Sequence, residues 1–274
     1  MIKLGTNLPT RVQHFELVFV TFIVWLAFIS VPLLLGGMSL GWDALNHHIY
    51  LGWNAEGQRL NHDYLAAGVQ AFQFPYTYWP AYRLAIDGVS GSQAGVILNS
   101  LYVLSAPPIW LISRACIPGS TVFDTLMRIL GTLLAFMSGV IVSLLDTTNN
   151  DLLSAIPLIW AIALAIDSCN LSLSRSNSRY FIIAFSGLLT GVSVALKLSN
   201  GPIAILIPAL WCACKGRPLT RLGLVITGSA ATLIGFGVTY GYWGYLLWSH
   251  FGNPIFPFYD NLFDPVRRLT GRTP

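Results

Sequence analysis

Charged side chains are scarce in this sequence. Only 9% of its 274 residues are Asp, Glu, Lys or Arg, against about 25% in an ordinary soluble domain. So few charges exclude a water-exposed globule, whose surface they could not cover. An internal repeat, a low-complexity tract and a glycine-rich phosphate loop are all missing, so nothing points to a repeat array or to nucleotide binding through such a loop. The four cysteines match no metal-site spacing.

What the chain has instead is apolar length. Hydrophobic residues make up 54% of it, and runs near or above about 18 apolar residues read as membrane spans. The runs are Phe15–Leu35, Ala94–Ile112, Leu126–Leu145, Leu152–Ile166, Phe181–Leu196, Pro202–Cys214 and Leu222–Trp248. They predict an all-α, polytopic transmembrane helix bundle of about seven spans. The fifth and sixth, parted only by "KLSNGP", read as a tight helical hairpin. A secretory signal is the alternative for the first run. Its length and the lack of a small-residue cleavage site after it favour an uncleaved span. Residues 1–263 are thus expected to form the transmembrane domain, with a first outer loop over 36–93 and a polar tail over 264–274.

Charge placement predicts the orientation. With a cytoplasmic amino terminus, Lys3, Arg11, Arg114, Arg128, Arg175, Arg179, Lys215, Arg217 and Arg221 fall on the cytoplasmic side. Arg59, Arg83 and Lys197 fall opposite, before a tail bearing Arg267, Arg268 and Arg272. This asymmetry follows the positive-inside rule. The net charge of +4 is then a topology signal and not a sign of nucleic-acid binding. Cys116, Cys169, Cys212 and Cys214 fall near the reducing side or in spans, where no disulfide is expected.

The polar residues collect on the outer side. In "GWDALNHHIY" and the residues after it, Asp43, Asn46, His47, Tyr50 and Asn54 recur at i, i+3, i+4, i+7 and i+11, one stripe of a helix. Leu45, Ile49 and Trp53 form an apolar stripe, so this helix is expected to lie along the membrane surface. Asp43 is either a helix N-cap or a carboxylate free for general-base or metal chemistry. Asp146 and Asp151 bracket "TTNN", as a polar capping turn or with Asp151 as a second acid at the rim of a cleft. Lys197 either snorkels to water or holds an anion. Pro254 and Pro257 must stop the last helix, so the chain turns along the membrane surface as an interfacial anchor, or else brings His250 and Asn253 to the cleft.

"WDALNHHIYLGW", "DTTNND" and "GNPIFPFYDN", set among these spans, resemble the GT-C superfamily of polytopic glycosyltransferases. The resemblance implies a sugar moved from a polyprenyl-phosphate donor to a glycan, lipid or protein acceptor on the periplasmic face of a bacterial inner membrane. Asp43 would be the base that deprotonates the acceptor hydroxyl. Lys197 would hold the carrier phosphate, and Asn46, Tyr50, Asp151 and Asn253 would contact substrate. A divalent metal ion would sit on His47 and Asp63 if the loop folds back. Members of the superfamily usually carry more spans, so the chain is expected to be an amino-terminal part of a longer protein or an inactive relative. The rival expectation is a non-enzymatic membrane protein, a transporter or an envelope-assembly subunit. A transporter should place ionisable groups at mid-span, and here the charges avoid span centres.

Overall fold

The computed structural model describes residues 10–63, 66–170 and 176–271. Lys3, Arg175 and Arg272 of the charge count lie outside them. Among the described residues the regular structure is helical apart from one four-residue extended segment, β1 (Ala66–Val69). Its helices, in order, are α1 (Thr10–Leu35), α2 (Ile49–Asn54), α3 (Trp79–Ile86), α4 (Gly91–Tyr102), α5 (Ala106–Cys116), α6 (Val122–Ala135) and α7 (Gly139–Leu144). There follow α8 (Asp151–Asn170), α9 (Ser176–Leu196), α10 (Gly201–Ala204), α11 (Ile207–Cys212), α12 (Pro218–Phe251) and α13 (Asp260–Thr270).

Five helical stretches are long and apolar enough to cross a membrane: Phe15–Leu35, Gly91–Cys116, Asp151–Asn170, Asn177–Leu196 and Pro218–Phe251. Large apolar side chains such as Leu219, Leu233 and Val238 face outward along them. That is the pattern of an integral membrane protein, in which lipid replaces water as the outer solvent.

Five of the seven expected runs coincide with these candidate spans, and the other two are interrupted helices. Leu126–Leu145 is broken into α6 and α7, because Ser138 caps a new helix by accepting from Ile141 N–H at 3.2 Å. Pro202–Cys214 is broken into α10 and α11, each with a proline in its first turn. The apolar stretch Leu198–Cys212 would rise only about 22 Å even as one helix, short of a hydrocarbon core of about 30 Å. Periodicity registers apolar length but not these interruptions.

Backbone groups freed by such interruptions are met by buried side chains. Pro32 lies inside α1 and has no N–H for the carbonyl of Phe28, four residues back. Asn99 of α4 donates to that Phe28 carbonyl at 2.8 Å and to the Leu145 carbonyl at 2.7 Å. The same crossing needs Gly95, since a Cβ there would overlap the Pro32 ring. Across the bundle, Ser186 donates to Ala161 O at 2.7 Å and Ser193 to Ser154 O at 2.7 Å. The α9–α12 contact is so close that a Cβ on Gly187, Gly191 or Gly235 would strike the backbone of the other helix, the small-residue packing expected in lipid.

The end of the bundle away from the 36–90 loop carries two further links. Glu16 of α1 and Arg128 of α6 form a buried ion pair at 2.7 Å. Trp110 donates to the same carboxylate, and the arginine also reaches Ile117 O and Gly119 O. Glu16 and Arg128 stand near the ends of their apolar runs, Phe15–Leu35 and Leu126–Leu145, and both are paired with their donors engaged. Cys169 and Cys214 meet in a disulfide, their Cα atoms 4.3 Å apart. The expected absence of a disulfide fails because α11 packs against α8 and brings together residues 45 apart in sequence.

Replacing Asn99 by Leu keeps the volume but leaves two buried carbonyls without that donor. The expected loss is about 1–3 kcal/mol for each carbonyl stranded, read as a lowered unfolding midpoint in detergent. An unchanged midpoint would mean that the Asn99 bonds do not support the α1–α4 crossing.

Candidate functional site

The segment after α1 returns to helix at Trp42, but not to a regular one. Residues Ala44–His48 form a π turn, in which the Ile49 N–H reaches the Ala44 carbonyl five residues back. Single π turns inside α-helices recur at functional sites. Here the wider turn lets two successive histidines, His47 and His48, both face the protein and be buried. The apolar residues Trp42, Leu45, Ile49 and Trp53 remain exposed on the other side. Gly52 fixes the seat of this helix, since a Cβ there would strike Tyr82 of α3.

Asp43 does not cap the helix. Its backbone is already helical and its side chain makes no capping bond. The carboxylate is instead half exposed, 3.9 Å from Nδ1 of His47. That Nδ1 is buried and has no hydrogen-bond partner. His48 takes the other direction: its Nδ1 lies 2.7 Å from the Thr148 hydroxyl, and its ring stacks on Tyr78 at 4.6 Å between centroids.

Lys197 closes the group from the end of α9. It extends there because the helix stops at Leu196 and Lys197 itself is in extended conformation. Its Nζ donates to Asp151 at 2.6 Å, and Asp151 stands in the first turn of α8, where a negative charge is favoured. Beside it, Asn150 is buried and donates to the Thr77 hydroxyl at 3.1 Å. A cavity of about 140 Å³ opens here, lined by Lys197, Ser199, Gln73, Asn150 and the rings of Phe72, Phe74 and Phe258, among others.

These residues share one electrostatic environment. Burial first, then neighbouring His47, push His48 down to about 4; Lys197 acts in the same sense, and Asp43 and Asp151 oppose. Burial likewise lowers His47, against the pull of Asp43. Burial raises Tyr78, helped by Asp151 and Asp43. Near neutral pH the centre therefore holds two uncharged imidazoles and a protonated phenol between two acids and one lysine. Such a group can accept a proton at Asp43 and present a cation to an anionic ligand.

Asp43, His47, Asp151 and Lys197, singled out in the sequence, are thus brought together; four other candidates are not part of this group. Asn46 donates to Gln70 at 2.9 Å. Asp63 is ion-paired with Arg59, which stacks on Trp53, and the Arg59 hydrogen bond holds its carboxyl below the usual range, with Tyr50 also bonded to it. The expected metal pair of His47 and Asp63 is not formed: Asp63 is committed to Arg59, and Nδ1 of His47 lies toward Asp43. Among the described residues, no three His, Cys, Asp or Glu side chains are grouped to hold a metal ion. Asn253 is fully buried, donating to Phe258 O and Asp260 at 3.0 Å each and accepting from Ile255 N–H at 2.9 Å. It shapes the turn before α13, so its assignment to substrate is also corrected.

His48, Tyr78, Thr148 and Asn150 are site members that the sequence reading passed over. The doubled histidine was a visible signal for His48. Tyr78 lay hidden among interfacial aromatics, and Thr148 and Asn150 resembled an ordinary polar turn.

The His48 position predicts a pH dependence. Its folded value lies below the ordinary 6.5, so as pH falls the unfolded chain takes up its proton first. Stability from this group is complete above about pH 6.5 and is lost as pH falls toward 4, by on the order of 3 kcal/mol. His48→Phe, which keeps the stacking on Tyr78, should flatten the dependence of the unfolding midpoint on pH between 6.5 and 4. An identical slope in wild type and variant would assign the titration elsewhere. Comparison of the chain with known protein families, with curated proteins and with solved structures finds no match.

Proposed function

We propose that this protein is a membrane glycosyltransferase of GT-C type, moving a sugar from a polyprenyl-phosphate donor to an acceptor hydroxyl. One observation carries the reading: a half-exposed acid, Asp43, stands beside two buried neutral histidines in the same cluster as the Lys197–Asp151 pair. In this reading the helix over 42–54 rests in the headgroup layer, with Trp42, Leu45, Ile49 and Trp53 toward lipid. The amino terminus is cytoplasmic, the site faces the periplasm of a bacterial inner membrane, and α6–α7 and α10–α11 complete the bundle as broken or partial crossings.

The chemistry follows from the charges. The acceptor hydroxyl is a poor nucleophile until a placed base takes its proton, and Asp43 does so as the bond from the anomeric carbon to the phosphate oxygen breaks. The departing phosphate gains negative charge, which Lys197 stabilises. Asp151 engages Lys197 through one hydrogen bond, and the ammonium has three donors in all, so donors remain for phosphate oxygens. His47, neutral and one turn from Asp43, keeps an unbonded Nδ1 3.9 Å from the carboxylate, close enough to bond it after a small side-chain shift.

The rival reading, a transporter, draws on one observation, the buried Glu16–Arg128 pair. Trp110, Thr125 and the carbonyls of Ile117 and Gly119 enclose that pair, which suits a structural tie better than a moving charge.

Two variants test the proposal in membranes supplied with radiolabelled sugar on a lipid carrier. Asp43→Asn should leave the protein folded and lower transfer by at least ~10²-fold, the usual scale of a general base; full turnover in this variant would remove Asp43 from the mechanism. Lys197→Ala should weaken use of the lipid donor more than it lowers the unfolding midpoint. Equal damage to both would reduce Lys197 to a structural partner of Asp151.

A further inference from the structure

The expected polar tail over 264–274 begins instead inside a helix, α13, whose amphipathic sense is reversed. Asp260, Asp264 and Arg267 recur at i, i+4 and i+7, one stripe of the helix. That polar stripe turns inward at Arg267, which is only 5% exposed, pairs with both acids and donates to Phe251 O at 3.4 Å. Asn253 adds a bond to Asp260, and the left-handed Gly252 lies against the Arg267 stem. Leu262, Val266 and Leu269 recur at the same spacing on the opposite stripe, and all three are exposed, Leu262 at 69% and Leu269 at 87%.

A helix on a water-soluble protein does the reverse, turning its apolar stripe to the core. We infer that the outward stripe of α13, with Phe258 and Tyr259 before it, is a membrane-docking surface whose partner is the lipid leaflet beside the 36–90 loop.

Three observations select lipid over a second copy of the chain. α12, the helix before this segment, also exposes apolar and aromatic side chains, Val238, Tyr242 and Tyr245 among them. The helix over 42–54, at the end of the bundle where Gln58 and Asn61 bond His250 of α12, shows the same outward row of Trp42, Leu45, Ile49 and Trp53. Outward aromatic and aliphatic side chains shared by separate elements at one end of a bundle mark an interface with lipid. Third, Arg267 is engaged by the chain itself, and the exposed part of the helix is its apolar stripe flanked by Asn261 and Arg268. Arg268 is exposed on the flank, placed to extend its charge to the headgroups. This inference does not depend on the glycosyltransferase reading. It bears on the cavity beside Lys197, because Phe258, two residues before α13, forms part of its wall.

The test uses the full chain in phosphatidylcholine vesicles, with exposed Cys116 and Cys212 changed to Ser. A bimane label is placed at Leu269→Cys, at Leu262→Cys as a second stripe position, or at Asn261→Cys off the stripe. Phosphatidylcholine spin-labelled near the headgroup should quench the 269 and 262 labels severalfold more than the 261 label, and aqueous iodide should show the opposite order. Size-exclusion profiles matching wild type certify the fold of each variant. Iodide quenching that dominates at 269 and 262 would put the stripe in water and overturn the inference. Shielding from both quenchers would put protein over it, a second copy or another segment, and would overturn it equally.

Discussion

A peptide backbone inside hydrocarbon has no water to bond, so each N–H and C=O must find a partner within the protein. This constraint organises the whole molecule. It makes the chain helical and makes every interruption of a helix an event to be answered by a side chain. Pro32 frees a carbonyl in α1, and Asn99 takes it. The stop at the end of α9 is held by Asn200, which donates to Ser193 O at 3.3 Å and Ser154 O at 3.2 Å. Asn99 and Asn200 are the amides that answer these two breaks, whereas hydroxyls such as Ser168 and Thr190 bond carbonyls within their own helices.

The breaks in turn produce the chemical centre. An uninterrupted α9 would carry Lys197 onward along a helix, and an unbroken α-helix over 42–54 would turn His47 and His48 to different sides. The ending at Leu196 and the π turn over 44–48 instead bring a lysine, two imidazoles and two carboxylates to one end of the bundle. Beneath them, Phe72, Phe74, Tyr240, Trp243 and Leu247 form an aromatic-rich core cluster, and Trp243 donates to Phe72 O at 3.1 Å. The loop is thereby fastened to α9 and α12, and the polar centre rests on a rigid floor.

Charge is handled differently at the two ends. Away from the loop, Glu16 and Arg128 are buried with their hydrogen bonds met inside the protein, a tie among α1, α5 and α6. On the loop side, Asp43 and Asp151 remain half exposed and Nδ1 of His47 has no partner. A closed pair holds helices together, whereas an open set retains valence for a ligand, which makes the loop side the place to look for chemistry.

The sequence by itself determined the solvent and the class: too few charges for water, apolar runs long enough for lipid, and a helical polar stripe starting at Asp43. Local pattern suffices for those, because hydropathy and periodicity are summed over neighbours along the chain. It could not determine that Asn253 would be consumed by its own turn, that Asp63 would pair with Arg59, or that Cys169 would meet Cys214. Nor could it show that Asn150 and Tyr78 would stand beside Lys197. Asp63 and Asn253 are claimed by neighbours two to seven residues away, through side-chain choices that hydropathy does not record. The other outcomes depend on which residues, tens of positions apart or more, the packing of helices brings together, and only the tertiary structure decided them.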